Sequence, residues 1–202
     1  RPEDVDLERG VIVEEIGMYE DTPEDLVSEI LSAAVYPGQA LGRPILGTQG
    51  TLQRIDSQTL KDYRAKQYVG KNTIISLCGS FSAADLQAVC DAFASLPAGD
   101  PSPMPKATYR KATVVKKKDI EQNHLLMTFP GLYANHPDRY VLAALNNILG
   151  SGMSSRLFQR VREQSGLCYS IYSFTSLYQN TGVLGIYVAF VVLQVLIAVG
   201  AI

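Results

Sequence analysis

Four prolines fall within nine residues at Pro97–Pro105, in company with Gly99, Asp100 and Ser102. Proline fixes φ and lacks the backbone N–H that helices and sheets both use. No regular element can run through such a stretch. The chain is therefore predicted to fold on either side of it and to cross it as an extended, solvated linker, residues 97–105. With 202 residues in all, each flank is long enough for a small core of its own.

Both flanks read as helices mixed with strands. Upstream, Asp4 or Asp6 suits the N-cap of a helix to about Met18, with Val5, Ile12, Val13 and Ile16 on one side. Thr22-Pro23-Glu24 restarts a second helix to about Ala34, Thr22 at the N-cap and Pro23 at the first helical position. Tyr36 to Gly50 is a loop punctuated by Gly and Pro. Ser57–Tyr68 reads as a helix and Thr73–Cys78 as a strand. Ser82–Leu96 reads as a helix with Leu86, Val89, Cys90 and Phe93 inward. Downstream, Ala112–Lys117, His124–Phe129, Cys168–Tyr178 and Gly182–Ala189 read as strands. Pro137–Leu149 and Ser155–Gln164 read as helices, the second closed by Gly166. The fold class is α+β in two units.

Charge narrows the function. Residues 1–29 hold eleven acids against Arg1 and Arg9, while Lys106–Lys118 holds six basic side chains and no acid. The net charge is −2 and hydrophobic residues make up 47%, so the chain is neither disordered nor a general nucleic-acid binder. Cys78, Cys90 and Cys168 form no Cys-x-x-Cys and read as small buried thiols in a reducing compartment. The two histidines, His124 and His136, cannot form a His-x-x-Glu-His or His-Glu-x-x-His pair. No charge follows Glu163, and the last 21 residues contain one strongly polar side chain, Gln194. That run is long enough for a membrane helix, yet it begins like a buried strand.

Two constellations could carry chemistry. Glu8 and Glu15 are seven residues apart, nearly two helical turns, so their carboxylates share a helix face. One could ligate a metal while the other orients a ligand or water; a solvated acidic face is the plainer account. Arg162 and Tyr169 flank the turn at Gly166. A guanidinium and a phenol brought to one cleft could donate hydrogen bonds to a peptide carbonyl or to the oxyanion formed on attack. The plainer account is an exposed helix arginine and a half-buried strand tyrosine. Neither a phosphate loop nor Gly-x-Ser-x-Gly is present.

Three stretches together resemble the insulinase and mitochondrial processing peptidase (pitrilysin) family of zinc metallopeptidases, and within it the shorter processing-peptidase-like branch. They are Glu8–Ile16, Leu41–Gly47, and the run from Gly150-Ser151-Gly152-Met153-Ser154-Ser155-Arg156-Leu157-Phe158 through Tyr169. The resemblance covers about Asp4 to Ala189. It implies a clamshell of two related α+β halves with mostly antiparallel sheets. Residues 1–96 would be the end of the zinc-bearing half, 106–189 the opening of the second half, and 190–202 an unmatched apolar tail.

The resemblance also implies roles. Glu15 matches the distal zinc ligand and Glu8 the glutamate that accompanies it. Arg162 and Tyr169 match the pair that reaches the substrate backbone. In such enzymes zinc polarises the carbonyl and activates water, a glutamate takes the proton, and Arg with Tyr steadies the developing charge. The inverted His-x-x-Glu-His helix would lie upstream of Arg1, so this chain is expected to be inactive alone. The implied reaction is hydrolysis of peptides or presequence-like segments in a closed chamber. The alternative is a non-catalytic scaffold or partner subunit. Expected partners are a peptide, the remainder of its own chain, and a second copy or paired subunit, with neither nucleic acid nor membrane. The compartment expected first is the bacterial cytoplasm, and the mitochondrial matrix second. For the apolar end three readings stand: a truncated or frame-shifted product, a packed continuation, or a membrane anchor.

Overall fold

A computed structural model describes residues 1–100, 102–191 and 195–200. Pro101 of the proline segment and residues 192–194, 201 and 202 of the apolar end lie outside the described residues. Two compact units form: Arg1–Gly10 with Gln49–Pro105, and Val11–Thr48 with the chain from Lys106 onward. Helix α1, Pro2–Asp21, contributes its first part to one unit and its second part to the other. It starts at Pro2 rather than at an Asp4 or Asp6 cap, because Pro suits the first helical turn and Glu3 and Asp4 then face its positive end.

The first unit is helical: the start of α1, then α3 (Gln49–Leu52), α4 (Ser57–Gln67) and α5 (Ala83–Phe93). The name α2 belongs to Pro23–Val35 in the other unit. Arg9 fastens α1 by donating from Nε to the Leu52 carbonyl at 3.0 Å and from Nη2 to the Ile55 carbonyl at 2.7 Å. Asp56 caps α4 by accepting the Thr59 N–H at 2.7 Å. Ser82 and Asp85 form a reciprocal capping box at the start of α5.

The proline segment has no regular structure and is mostly exposed among its described residues, and it is tied to α4 and the turn Gly70–Asn72. The Gly70 N–H donates to the Pro97 carbonyl at 3.0 Å, Lys71 pairs with Asp100 at 2.6 Å, and Gln67 donates to Ser102 at 2.7 Å. Thr73–Cys78, expected as a strand, has no regular structure. A strand exists only by pairing, and every described strand lies in the other unit. Ile74 is accordingly 96% exposed. The intended inner face of α5 is also open, with Leu86 and Phe93 exposed. Cys78 and Cys90 are exposed and Cys168 half-buried, so the expectation of three buried thiols is corrected: the segments bearing the first two have no sheet to cover them.

The second unit is built on one five-stranded sheet in the order β1-β5-β2-β4-β3. Its strands are β1 Ala112–Lys117, β2 Asn123–Pro130, β3 Ser170–Leu177, β4 Gly182–Phe190 and β5 Val195–Gly200. All neighbours are antiparallel except β2 and β5. The apolar end thus supplies an interior strand: β5 lies between β1, with Lys117 opposite Val195, and β2, with His124 opposite Leu196. Between Gly182 and Phe190 strand prevails over helix because β2 and β3 satisfy its backbone on both sides. Among the described residues no helix is long and apolar enough to cross a membrane.

Helix α2 lies on β1, β2 and β5. Leu26, Val27, Leu31 and Val35 make one buried stripe, and Val27 is 0% exposed. They join Leu126, Val183, Tyr187 and Ala189 in the core. Thr22 stands at its N-cap position, but its hydroxyl donates back to the Met18 carbonyl at 2.9 Å and makes no cap. Helix α6, Arg139–Gly150, packs on β3. Gly150 is needed at its end because a Cβ there would strike the backbone and side chain of Ser173.

Candidate functional site

Downstream of α6, the turn Gly150–Ser155 leads into a π-helical segment, Phe158–Gln164. Wide turns of this kind carry one residue too many for an α-helix and recur at functional sites. The segment ends where the Gly166 N–H donates to the Arg162 carbonyl at 3.0 Å and the Leu167 N–H to that of Val161 at 3.1 Å. Gly166 has φ 61°, the left-handed conformation that glycine adopts without a Cβ penalty. The chain reverses there, and just before β3 the Tyr169 N–H donates to the Ala189 carbonyl at 3.0 Å.

The result is a contact between Arg162 and Tyr169. The Arg162 guanidinium carbon lies 5.8 Å from the centre of the Tyr169 ring and 4.5 Å from that of Phe158. Both are within cation–π range. The sequence reading did not single out Phe158; its position one α-helical turn before Arg162 was the available signal. Glu163 accepts from Arg162 Nη1 at 3.0 Å. Tyr169 is 72% exposed, so its hydroxyl faces solvent rather than core. Nearby, partial burial pushes the Cys168 thiol up from its ordinary pKa and the Arg162 charge opposes that shift. The thiol is thus no ready nucleophile at neutral pH. Chemically, the pair offers one fixed cation and one phenolic donor to a carbonyl or oxyanion.

Glu8 and Glu15 are both exposed on α1. Val5, Arg9, Ile12, Val13 and Ile16 form its half-buried stripe, and the two glutamates flank that stripe at nearly the same angle. Among the described residues no three His, Cys, Asp or Glu side chains gather where they could hold a metal ion. Glu15 has the chemistry of one zinc donor, but the donors among the described residues do not make a zinc site. His124 is committed to Tyr187 at 2.6 Å, and His136 accepts the Asp138 N–H at 3.1 Å.

Residues 54–199 match the family model described as the peptidase M16 inactive domain. The chain belongs to the peptidase M16 family. Its M16 relatives include the uncharacterized zinc protease YmxG of Bacillus subtilis, 42% identical over 89% of this chain and 44% of that protein. An uncharacterized zinc protease of Streptomyces coelicolor is 36% identical over 92% of this chain and 42% of that protein. The chain thus spans less than half the length of these relatives. In fold it is similar to a peptidase M16 inactive domain from Pseudomonas fluorescens, with TM-score 0.83 and 23% identity over 95% of this chain and 47% of that one. The α+β architecture, a five-stranded sheet with packed helices, is that of the M16 inactive domain.

Proposed function

We propose that this chain is a segment of a zinc-dependent metalloendopeptidase that hydrolyses peptides or presequence-like segments. The observation that carries the reading is the Arg162–Tyr169 contact at the exit of the π-helical segment. Membership of the M16 family and the names of the curated relatives support it. Arg162 and Tyr169 would hold the substrate backbone and steady charge that develops on its carbonyl oxygen. Glu15 would give one carboxylate to a zinc ion whose other ligands this chain does not supply, with Glu8 beside it. The matched domain is the family's inactive one, so the chain alone is expected not to hydrolyse peptides.

The experiment is zinc content and peptide hydrolysis of the full-length protein, with Arg162→Ala and Tyr169→Phe beside it. One zinc per chain, with activity reduced in both variants, supports the reading. A zinc-free full-length protein without hydrolysis supports the second reading, a non-catalytic scaffold. One likeness favours that second reading: a chain in the structure of Complex III2 from Candida albicans shares this fold, with TM-score 0.81 and 21% identity over 91% of this chain and 46% of that one.

A further inference from the structure

The second unit contains a buried histidine that the proposed activity does not use. His124, on β2, is 9% exposed. Its Nδ1 lies 2.6 Å from the Tyr187 hydroxyl, and the two ring centres are 5.9 Å apart. Tyr187, 3% exposed, stacks at 5.0 Å on Tyr172. The Tyr172 hydroxyl in turn donates to Glu24 in the first turn of α2. Strand register accounts for the alignment. Tyr172 is opposite Tyr187 and Tyr187 opposite Leu126, so His124, two residues before Leu126, shares their face. Tyr187 lies in the layer where Leu26, Val27 and Leu31 meet the sheet, half-buried Tyr172 packs against that layer, and Glu24 stands at its exposed edge.

We propose that His124 is an acid-sensitive latch for α2. Neutral, its Nδ1 accepts the Tyr187 hydroxyl and α2 closes over the sheet. Protonated, both ring nitrogens become donors, the Tyr187 hydroxyl must turn to accept, and a cation stands among apolar side chains. The groups facing it are Tyr187 from β4, Tyr172 from β3 and Glu24 from α2, with Asp25 acting on Tyr172; on β5 its register partner is Leu196. Glu24 alone favours the imidazolium, and its carboxylate is already engaged by Tyr172. Burial outweighs it and holds His124 below its ordinary value of 6.5. Burial likewise pushes Tyr172 and Tyr187 up, so both remain donors.

The direction of the pH effect follows. As pH falls through 6.5 the unfolded chain takes up a proton that the folded chain resists. Stability is full above that value and is lost between it and the lower folded value, by up to about tenfold in the unfolding constant per pH unit.

Urea unfolding of the full 202-residue chain at about pH 7.5 and about pH 5.5, for wild type and His124→Gln, tests the latch. The wild type is expected to lose stability several-fold more than the variant, which keeps an acceptor but does not titrate. Equal pH dependence in the two overturns the proposal. If His124→Gln does not fold, NMR titration of the His124 imidazole decides, with His136→Asn making the assignment. A midpoint below 6.5 supports the latch and one at or above 6.5 overturns it. Acid should also speed exchange of the α2 amides beyond the intrinsic pH effect, and unchanged protection there would remove α2 from the proposal.

Discussion

Arg162 is held by three different groups: the faces of Phe158 and Tyr169 and the carboxylate of Glu163. A planar guanidinium can stack and donate at once, which an ammonium cannot. In the full-length protein Arg162→Ala and Tyr169→Phe are each expected to lower kcat by about a hundredfold, the usual effect of removing one oxyanion donor. Arg162→Lys should recover only part of that loss. A fall in Tm with kcat unchanged would assign both residues to packing alone. Gly150 illustrates a purely steric constraint at the same scale. Its missing Cβ admits Ser173 of β3, so Gly150→Ala should cost about 2 kcal/mol in urea unfolding.

Helix caps separate what is local from what is not. Ser82 caps α5, and Thr22, placed at an N-cap by its sequence, makes no cap, because its hydroxyl donates to the Met18 carbonyl. Ser82→Ala is therefore expected to cost about 1 kcal/mol, and Thr22→Ala clearly less. Circular dichroism through a urea titration compares them. The Ser82 N–H and hydroxyl hold the Asp85 carboxyl below its ordinary 3.8. A lowered carboxylate lends stability above its unfolded pKa and loses it as pH falls through the folded one. The start of α5 should thus lose stability only as pH falls below about 3.8 in the wild type, and should show less of that pH dependence in Ser82→Ala; amide exchange at Ala83–Gln87 reads this. The same locality made α2, α4, α5 and α6 legible from spacing and punctuation to within a few residues. Thr73–Cys78 has equal strand character and forms none, because its hydrogen bonds need a neighbour that the helical unit does not offer.

For the whole molecule, the donor inventory leads to a metal prediction. Calorimetric titration of this chain with Zn²⁺ should show no tight stoichiometric site, since Glu15 has no partner set among the described residues. The full-length protein should hold one zinc, and Glu15→Gln should weaken it. Tight binding by this chain alone would refute the assignment of Glu15 as one ligand among several supplied from elsewhere.

Sequence by itself determined α2, α4, α5 and α6 and the breaks at Pro and Gly. Each depends on contacts within a few residues, where 3.6-residue periodicity and turn chemistry leave little choice. Only the tertiary structure decided that the apolar end enters the sheet between β1 and β2, that α2 lies across it, and that buried His124 and Tyr187 line up with half-buried Tyr172 and exposed Glu24. Those arrangements join residues as many as 148 positions apart. Their energy comes from pairing and burial between distant segments, and no local pattern encodes which segments meet.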